Sequence, residues 1–450
     1  MAKITSFRGY RYNQREVDDL SQVVTQPYDK IDDALRDDYY NRSEFNVIRI
    51  IKGKENPNDN VNDNKYTRAA AFWEQWIEDR VLIREPGPAI FPYLQEYTVD
   101  GTTHVRKGLV VLVDLTDKKG EVRAHENTLS GPKADRLKLM KATEANDGQI
   151  FMLYDDAENR INEIIDMELR VGRPLMEVTD SDGAKHTLYR ISKPGAVRDI
   201  AEILEDKDLF IADGHHRYET AVNYLEYCKA RKWETLNDES FTHRMMTLVN
   251  IHDPGLTVLP THRVVHSLEG FNASDLLSQA AENFEITEFS SRDELYSQLD
   301  QAVTNGKIAF GLGAIDLDGY RLFMLKGPNL MDSLVTDEHC DAWRRLDVTV
   351  LHTALLDNLL GIDEAKLESY SNVRYVRGRD KALDSVGSDG VQAAFLLNPT
   401  RTEQVLAVAS EGERMPQKST DYFPKLLTGM VMMKMTIDKS MGLALYDSED

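Results

Sequence analysis

Apolar residues recur along the chain at two spacings, and the switching between them predicts a mixed α and β fold. Residues 45–51 and 109–115 are rich in β-branched side chains and read as strands. Residues 66–81 carry Ala69, Phe72, Trp73, Trp76 and Ile77 at helical spacing, which predicts a helix with both tryptophans in the core. The Asn- and Asp-rich run 56–65 before it reads as a solvated loop. After it, Glu85-Pro86-Gly87-Pro88 reads as a break that ends the helix and starts a new strand. Further on, a helix at 273–283, a strand at 285–289, a helix at 292–304 and strands near 308–312 and 320–325 suit a small α+β layer. Residues 347–360 are again apolar at helical spacing, and a final segment runs from about 371. Boundaries are expected near 266 and 340. They divide the chain into an α/β core region (1–266), a small α+β subdomain (267–340) and a C-terminal α/β segment (341–450) returning to the core.

Composition narrows the partners. The chain has 450 residues, 41% of them hydrophobic, which is ample for a sizeable core. It carries 54 Lys and Arg against 76 Asp and Glu, a net charge of −22, and this argues against nucleic acid as the main partner. Cys228 and Cys340 are the only cysteines, too few for a disulfide framework or a cysteine zinc site. The first residues lack the apolar core of a signal peptide, and stretches such as 109–113 and 429–433 are too short to cross a bilayer. A soluble cytoplasmic protein with no membrane partner is expected. The chain carries no signal for an oligomeric state.

Against that acidic background, one stretch concentrates cations. Leu209-Phe210-Ile211-Ala212 reads as a buried strand, while Tyr218, Ala221, Val222, Leu225 and Cys228 are spaced as a helix. The chain must turn sharply between them at Asp213-Gly214-His215-His216. Gly214 permits a tight turn, and the first N–H groups of a helix lack intrahelical partners and favour an anion. Here His215, His216 and Arg217 crowd that positive end, where cations cost about 0.3–1 kcal/mol each when exposed. A bound phosphate or carboxylate would offset this cost. The blander alternative makes Asp213 an ordinary N-cap, pairs Glu219 with Arg217 and buries the histidines.

Three other polar segments are candidates for the same site. His125-Glu126-Asn127-Thr128 offers acid–base or metal-binding groups, which can share a site only on a loop. Leu259-Pro260-Thr261-His262-Arg263 repeats the His-Arg pair in a polar turn, and Met415-Pro416-Gln417-Lys418-Ser419-Thr420 is a loop suited to phosphate. No His-Glu-x-x-His signature is present, so no tightly bound transition metal is expected. Mg²⁺ accompanying a nucleotide or pyrophosphate is the expected cofactor.

These segments, with Gln26-Pro27-Tyr28-Asp29, Asn46-Val47-Ile48-Arg49, Ala212-Asp213-Gly214-His215-His216-Arg217-Tyr218 and Tyr422-Phe423-Pro424-Lys425, resemble in order a bacterial and archaeal family of unknown function. Lys30 departs from it, standing where a small apolar residue is expected. More distantly, the strand–Gly–x–His–Arg–helix element is similar to the Gly-Cys-His-Arg of sulfiredoxins and the Gly-x-Arg-Arg of ParB-type nucleotide hydrolases. Free-serine kinases of that fold carry a related element. The resemblance implies an α+β (mixed α/β) fold, with a ParB/sulfiredoxin-like phosphate-binding core and an added α+β layer. In it Gly214, His215, His216 and Arg217 would contact phosphates. His215 occupies the sulfiredoxin cysteine position, which excludes sulfinic-acid reduction, and the −22 charge argues against ParB-like DNA binding. Members of the resembled family accompany serine-biosynthesis genes, which implies free serine or phosphoserine as substrate. This is analogy at the level of fold.

Together these readings predict an enzyme that moves a phosphoryl group between a nucleotide or pyrophosphate-type donor and a small hydroxylated metabolite. Arg217, Lys418 and the Gly214 backbone would stabilise the phosphates, with Thr261, His262, Arg263, Ser419 and Thr420 completing their contacts. Glu126, with Asp213 second, would accept the hydroxyl proton, beside His125; His215 and His216 would bind phosphate or relay protons. Hydrolysis of a phosphomonoester is the near alternative. A non-catalytic nucleotide or metabolite sensor and a metal-dependent hydrolase are the others.

Overall fold

The structure, a computed structural model, describes residues 2–116, 130–327, 329–335 and 339–440. His125, Glu126, Asn127 and Thr128 lie outside the described residues. The fold is mixed α/β. Contacts divide the chain into two compact units, one of residues 1–123, 128–256 and 424–450, the other of 124–127 and 257–423. No helix among the described residues is long and apolar enough to cross a membrane.

The first unit is built on an eight-stranded sheet. In chain order its strands are β1 (Ile4–Thr5), β2 (Phe91–Val99), β3 (Thr102–Asp114), β4 (Ile150–Tyr154), β5 (Met176–Thr179), β6 (Lys185–Leu188), β7 (Phe210–Asp213) and β8 (His243–Asn250). They lie in the order β7–β4–β8–β3–β2–β6–β5, with β1 on β3, and only the β4–β8 pair is parallel. The expected strand at 109–115 is the inner part of β3. β4 has a strand on each side and is buried at all five residues, which is why it reads as an unbroken apolar run.

Residues 45–51 are not a strand. They form a turn and a short helix, α1 (Ile48–Ile51). The side-chain oxygen of Asn46 accepts the Ile48 N–H at 2.9 Å, and its amide donates to Gln22 O at 2.6 Å. That local closure starts a helical turn, while Val47, Ile48, Ile50 and Ile51 are all buried without the alternation of a half-buried strand. The expected helix at 66–81 is α2 (Lys65–Glu78), capped by Asn64 and stopped by Arg80 at φ 60°. Trp73 and Trp76 are core residues, as their spacing predicts. The helix ends at Glu78, ahead of the Pro-Gly-Pro break, and a short strand, Leu82–Arg84, lies between them; β2 follows the break from Phe91, as expected. Two further helices frame the site described below, α3 (Ser130–Thr143) and α4 (His215–Ala230).

The second unit holds a six-stranded, wholly antiparallel sheet of β9 (Thr261–His266), β10 (Phe284–Phe289), β11 (Ala309–Ala314), β12 (Tyr320–Leu325), β13 (Val373–Arg377) and β14 (Val391–Leu396). Their order is β10–β12–β11–β14–β9–β13. Side chains alternate between two cores. Val265, Phe310, Leu312 and Phe395 face one, with helix α5 (Ala273–Ala280). Val264, Ala309, Ala394 and Leu396 face the other, with helix α6 (Arg292–Thr304). The expected helix at 347–360 is helical with a π-helical stretch at Leu351–Asp357. Thr261, His262 and Arg263 do not form a polar turn. They open β9, paired with Arg377, Val376 and Tyr375 of β13, because Pro260 precedes the strand instead of breaking it.

Candidate functional site

Three elements of the first unit meet at the start of β4, and the sheet register dictates which side chains converge there. β7 runs antiparallel to β4 with Asp213 opposite Phe151, so the chain leaves the sheet beside Gln149. β8 runs parallel to β4 with Met246 aligned to Ile150, which brings Arg244 level with Gly148. The chain then turns through Gly214, at φ 101° and ψ 31°, directly into α4. The expected strand–glycine–helix element is therefore present, with Gly214 as its N-cap.

Arg217, in the first turn of α4, is buried. It donates to Gln149 O and, at 3.2 Å, to Asp213 Oδ1. The other Asp213 oxygen accepts from Lys425 Nζ at 2.8 Å. Burial disfavours the Asp213 carboxylate, but Lys425 and Arg217 outweigh it and hold the carboxyl well below its usual range. Arg244 is 3% exposed and donates to Asn146 Oδ1 and, at 2.7 Å, to Gly148 O. Its Nε has no hydrogen-bond partner, and among the described residues it makes no ion pair. Burial, and then the nearby charge of Arg217, push Arg244 down to about 9. The third guanidinium, Arg136, is anchored by Asp135 at 2.9 Å and Ile51 O at 2.6 Å, and lies 4.2 Å over the Tyr28 ring.

Arg136, Arg217 and Arg244 line a pocket of about 40 Å³ with Tyr28, Asp147, Gly148, Thr220 and Thr428. Asp147, its one carboxylate, is buried; burial raises its pKa against the pull of Trp73, whose indole N–H donates to it at 2.7 Å. A single water needs about 10–15 Å³ of such space, so the pocket holds roughly three water-sized groups, the scale of one phosphoryl or carboxyl head. His216 is half-buried. Burial lowers its pKa, Asp29 and Glu219 oppose this, and Lys133 and Arg217 reinforce it, so the ring is neutral at pH 7. Glu219 pairs with Lys133 at 2.8 Å rather than with Arg217, and His215 is buried.

The remaining expected residues form a separate cluster within the second unit. Arg263 is buried on β9 and its guanidinium is fully engaged. It donates to Thr261 O, to His352 Nε2 at 3.0 Å and to Lys418 O at 3.0 Å. This ties the strand to the π-helical stretch and to the 415–420 loop. Ser419 donates to Pro416 O, Thr400 donates to Ser419 O at 2.7 Å, and Lys418 has φ 58°. Thr420 is half-buried in the same loop. His262 is buried, accepts from Leu397 N at 3.3 Å, and is pushed down to about 3 by burial, then Arg379 and Arg263. His262 and His266 have the spacing of a helical metal pair but lie on a strand. Among the described residues, no group of three or more His, Cys, Asp or Glu is placed to hold a metal ion.

Sequence patterns missed Arg136, Arg244 and the Asp147–Gly148 turn as pocket residues. Tyr28 and Lys425 lay inside the family-like segments without an assigned role. Arg244 had no local signal, since a lone arginine in a strand reads as a solvent-facing residue.

The first unit is thus a mixed α/β assembly with a buried cationic pocket. Residues 4–349 match the DUF1015 family, described as a protein of unknown function, and the chain belongs to that family. No curated protein matches the chain. Among solved structures, it is similar to a free serine kinase in complex with AMP, at 11% identity and a TM-score of 0.35, over 73% of this chain and 91% of that one. It is also similar to SbnI with a C-terminal truncation from Staphylococcus aureus, at 11% identity and a TM-score of 0.33, over 76% of this chain and 90% of that one. A conserved hypothetical protein from Pyrococcus furiosus matches at 13% identity and a TM-score of 0.32, over 70% of this chain and 92% of that one.

Proposed function

We propose that the first unit binds the phosphoryl group of a small phosphate-bearing molecule in this pocket and transfers it to or from a hydroxylated, serine-like metabolite. The observation that carries the reading is Arg244, a buried guanidinium with an unpartnered Nε and no carboxylate in contact, facing a pocket it shares with Arg136 and Arg217. An uncompensated buried cation is costly, and an anion with several acceptor oxygens would relieve Arg244 while also meeting Arg136 and Arg217, which already pair with Asp135 and Asp213.

In this reading Arg136, Arg217 and Arg244 hold the phosphoryl oxygens and neutralise the charge that develops on them. Gly214 lets the backbone approach the ligand. Asp213 holds Arg217 and Lys425 in place, and its depressed pKa makes it a weak proton acceptor. The neutral His216 relays a proton; Glu126, the base expected from the sequence, lies outside the described residues. The serine-like acceptor comes from the family resemblance. Mg²⁺ would arrive with the phosphates of a nucleotide or pyrophosphate donor, held mostly by phosphate and water.

The test uses the full chain. Titration with phosphate, pyrophosphate, ADP and ATP should raise the melting temperature, by about 2.7 kcal/mol of added stability at a hundredfold excess over Kd. Arg217→Ala and Arg244→Gln should abolish the gain from inorganic phosphate. Incubation of each donor with serine should yield a new phosphomonoester resonance by phosphorus NMR. No stabilisation by any phosphate compound and no new resonance would overturn the proposal.

A further inference from the structure

The second unit contains a cavity of about 530 Å³ where β11 begins and β12 ends, and its lining reverses the charge balance of the chain. Lys307 and Lys326 come from the two strand ends, Arg344 and Arg345 from the helical segment beside them, and Arg401 from the entry to the helix Thr402–Ser410. Only Asp347 and Glu403 are carboxylates there, in a chain with 76 acidic and 54 basic residues. The cations are unevenly matched. Arg344 reaches Asp332 at 3.1 Å and Arg345 reaches Asp341 at 3.4 Å. Lys326 donates only to carbonyls, including Ala281 O at 2.6 Å. Lys307 and Arg401 are exposed and, among the described residues, make no ion pair. Of the two carboxylates, Asp347 is half-buried, and burial raises its pKa to about 6 against the pull of Arg401.

We propose that this cavity is a second ligand site, for a small polyanion with closely spaced charges, such as an oligophosphate or a tricarboxylate. Its volume lies within the roughly 300–1,000 Å³ usual for small-molecule sites. Concave walls lined by one sign of charge focus the field and concentrate ligands of the opposite sign. A monoanion would satisfy one or two of these groups, whereas a ligand with three adjacent charges spans the strand ends and both helical segments. The site is independent of the first-unit pocket and does not rest on its reading.

Titration calorimetry of the full chain with inorganic tripolyphosphate, at about 0.15 M salt to screen diffuse attraction, tests the proposal. Arg217→Ala combined with Arg244→Gln removes the first-unit pocket and should leave one tripolyphosphate site. Lys307→Gln combined with Arg401→Gln should weaken that site by about tenfold or more at an unchanged melting temperature, since both side chains are exposed. Citrate competition identifies the source: displacement marks a tricarboxylate, and its failure marks an oligophosphate. Absence of tripolyphosphate binding in the Arg217/Arg244 variant overturns the proposal. So does wild-type affinity and stoichiometry in the Lys307/Arg401 variant. If the Arg217/Arg244 variant does not fold, the count in the Lys307/Arg401 variant decides: one site fewer than wild type supports the proposal, an equal number overturns it. Loss of binding only through Lys307 and Arg401, with no effect of Arg217, supports this site and refutes the first-unit reading.

Discussion

Replacing Gly214 with alanine separates the backbone from the guanidinium in the first-unit pocket. Two costs follow from the geometry. At φ 101° an L side chain is strained, which is worth about 1–2 kcal/mol. The added Cβ would also lie 3.0 Å from Nε and Cζ of Arg217 and 3.1 Å from its Nη2. A flexible side chain would yield, but this one is pinned by Gln149 O and Asp213. Retreat gives up one of those charged hydrogen bonds, about 1.5–3 kcal/mol more. The sum is about 2.5–5 kcal/mol of stability, with loss of phosphate affinity because Arg217 has moved. Gly183 is the control: it has φ 82° and nothing within 4 Å of an added Cβ, so Gly183→Ala should carry the backbone cost alone and bind phosphate normally. Urea unfolding and phosphate titration of both variants measure the difference. Equal unfolding midpoints, with unaltered phosphate binding in Gly214→Ala, would refute the idea that Gly214 is there to make room for Arg217.

Three further outcomes follow from buried polar groups. Lys425→Met should destabilise the chain by about 2–3 kcal/mol at pH 7, because Asp213 loses one ion-pair partner and keeps Arg217 and the charge of Lys30. Asp213 is depressed in the folded state, so its contribution is present above about pH 4 and lost as pH falls; acid unfolding of Lys425→Met should show a shallower loss below pH 4 than wild type. Asp347 has the opposite sign. Burial raises it from 3.8 to about 6, so folding favours its protonated form, with full benefit below about pH 4 that disappears as pH rises through 6. Asp347→Asn should therefore stabilise the chain by about 2–3 kcal/mol at pH 8 and by little at pH 4, read as the difference between two urea curves. Trp73→Phe removes the donor to Asp147 and should cost about 1–2 kcal/mol, seen as a lower thermal midpoint.

How much of this was legible in the sequence depends on how local the cause is. The strand–glycine–helix element could be read because the period changes from strand to helix within a few residues, and Gly214 stands at the change. Arg217 was legible for the same reason, as a cation at the wrong end of a helix. Arg244 was not. It becomes a buried cation only because β8 runs beside β4, and nothing nearby in the chain specifies that pairing. The Asp213–Lys425 contact joins residues 212 positions apart, so local pattern carries no trace of it. Residues 45–51 and 261–263 show the converse: Asn46 turns a β-branched run into a helix, and a strand begins after Pro260 where a polar turn was expected.

The order of the units along the chain has a consequence for biosynthesis. Residues 257–423 sit as an insertion between segments of the first unit, and the two ends of that insertion are zipped together by Thr257 opposite Phe423 and Val258 opposite Tyr422. A ribosome therefore finishes the whole inserted unit before it releases Pro424 and Lys425. Until then Arg106 lacks the carbonyl of Pro424 and Asp213 lacks its ammonium partner. The nascent first unit waits with both charges half-satisfied, in the interval when exposed, incompletely folded segments are most prone to aggregate. Maturation of the pocket is thus a late event, timed by translation of the insertion rather than by folding of the strands that flank the site.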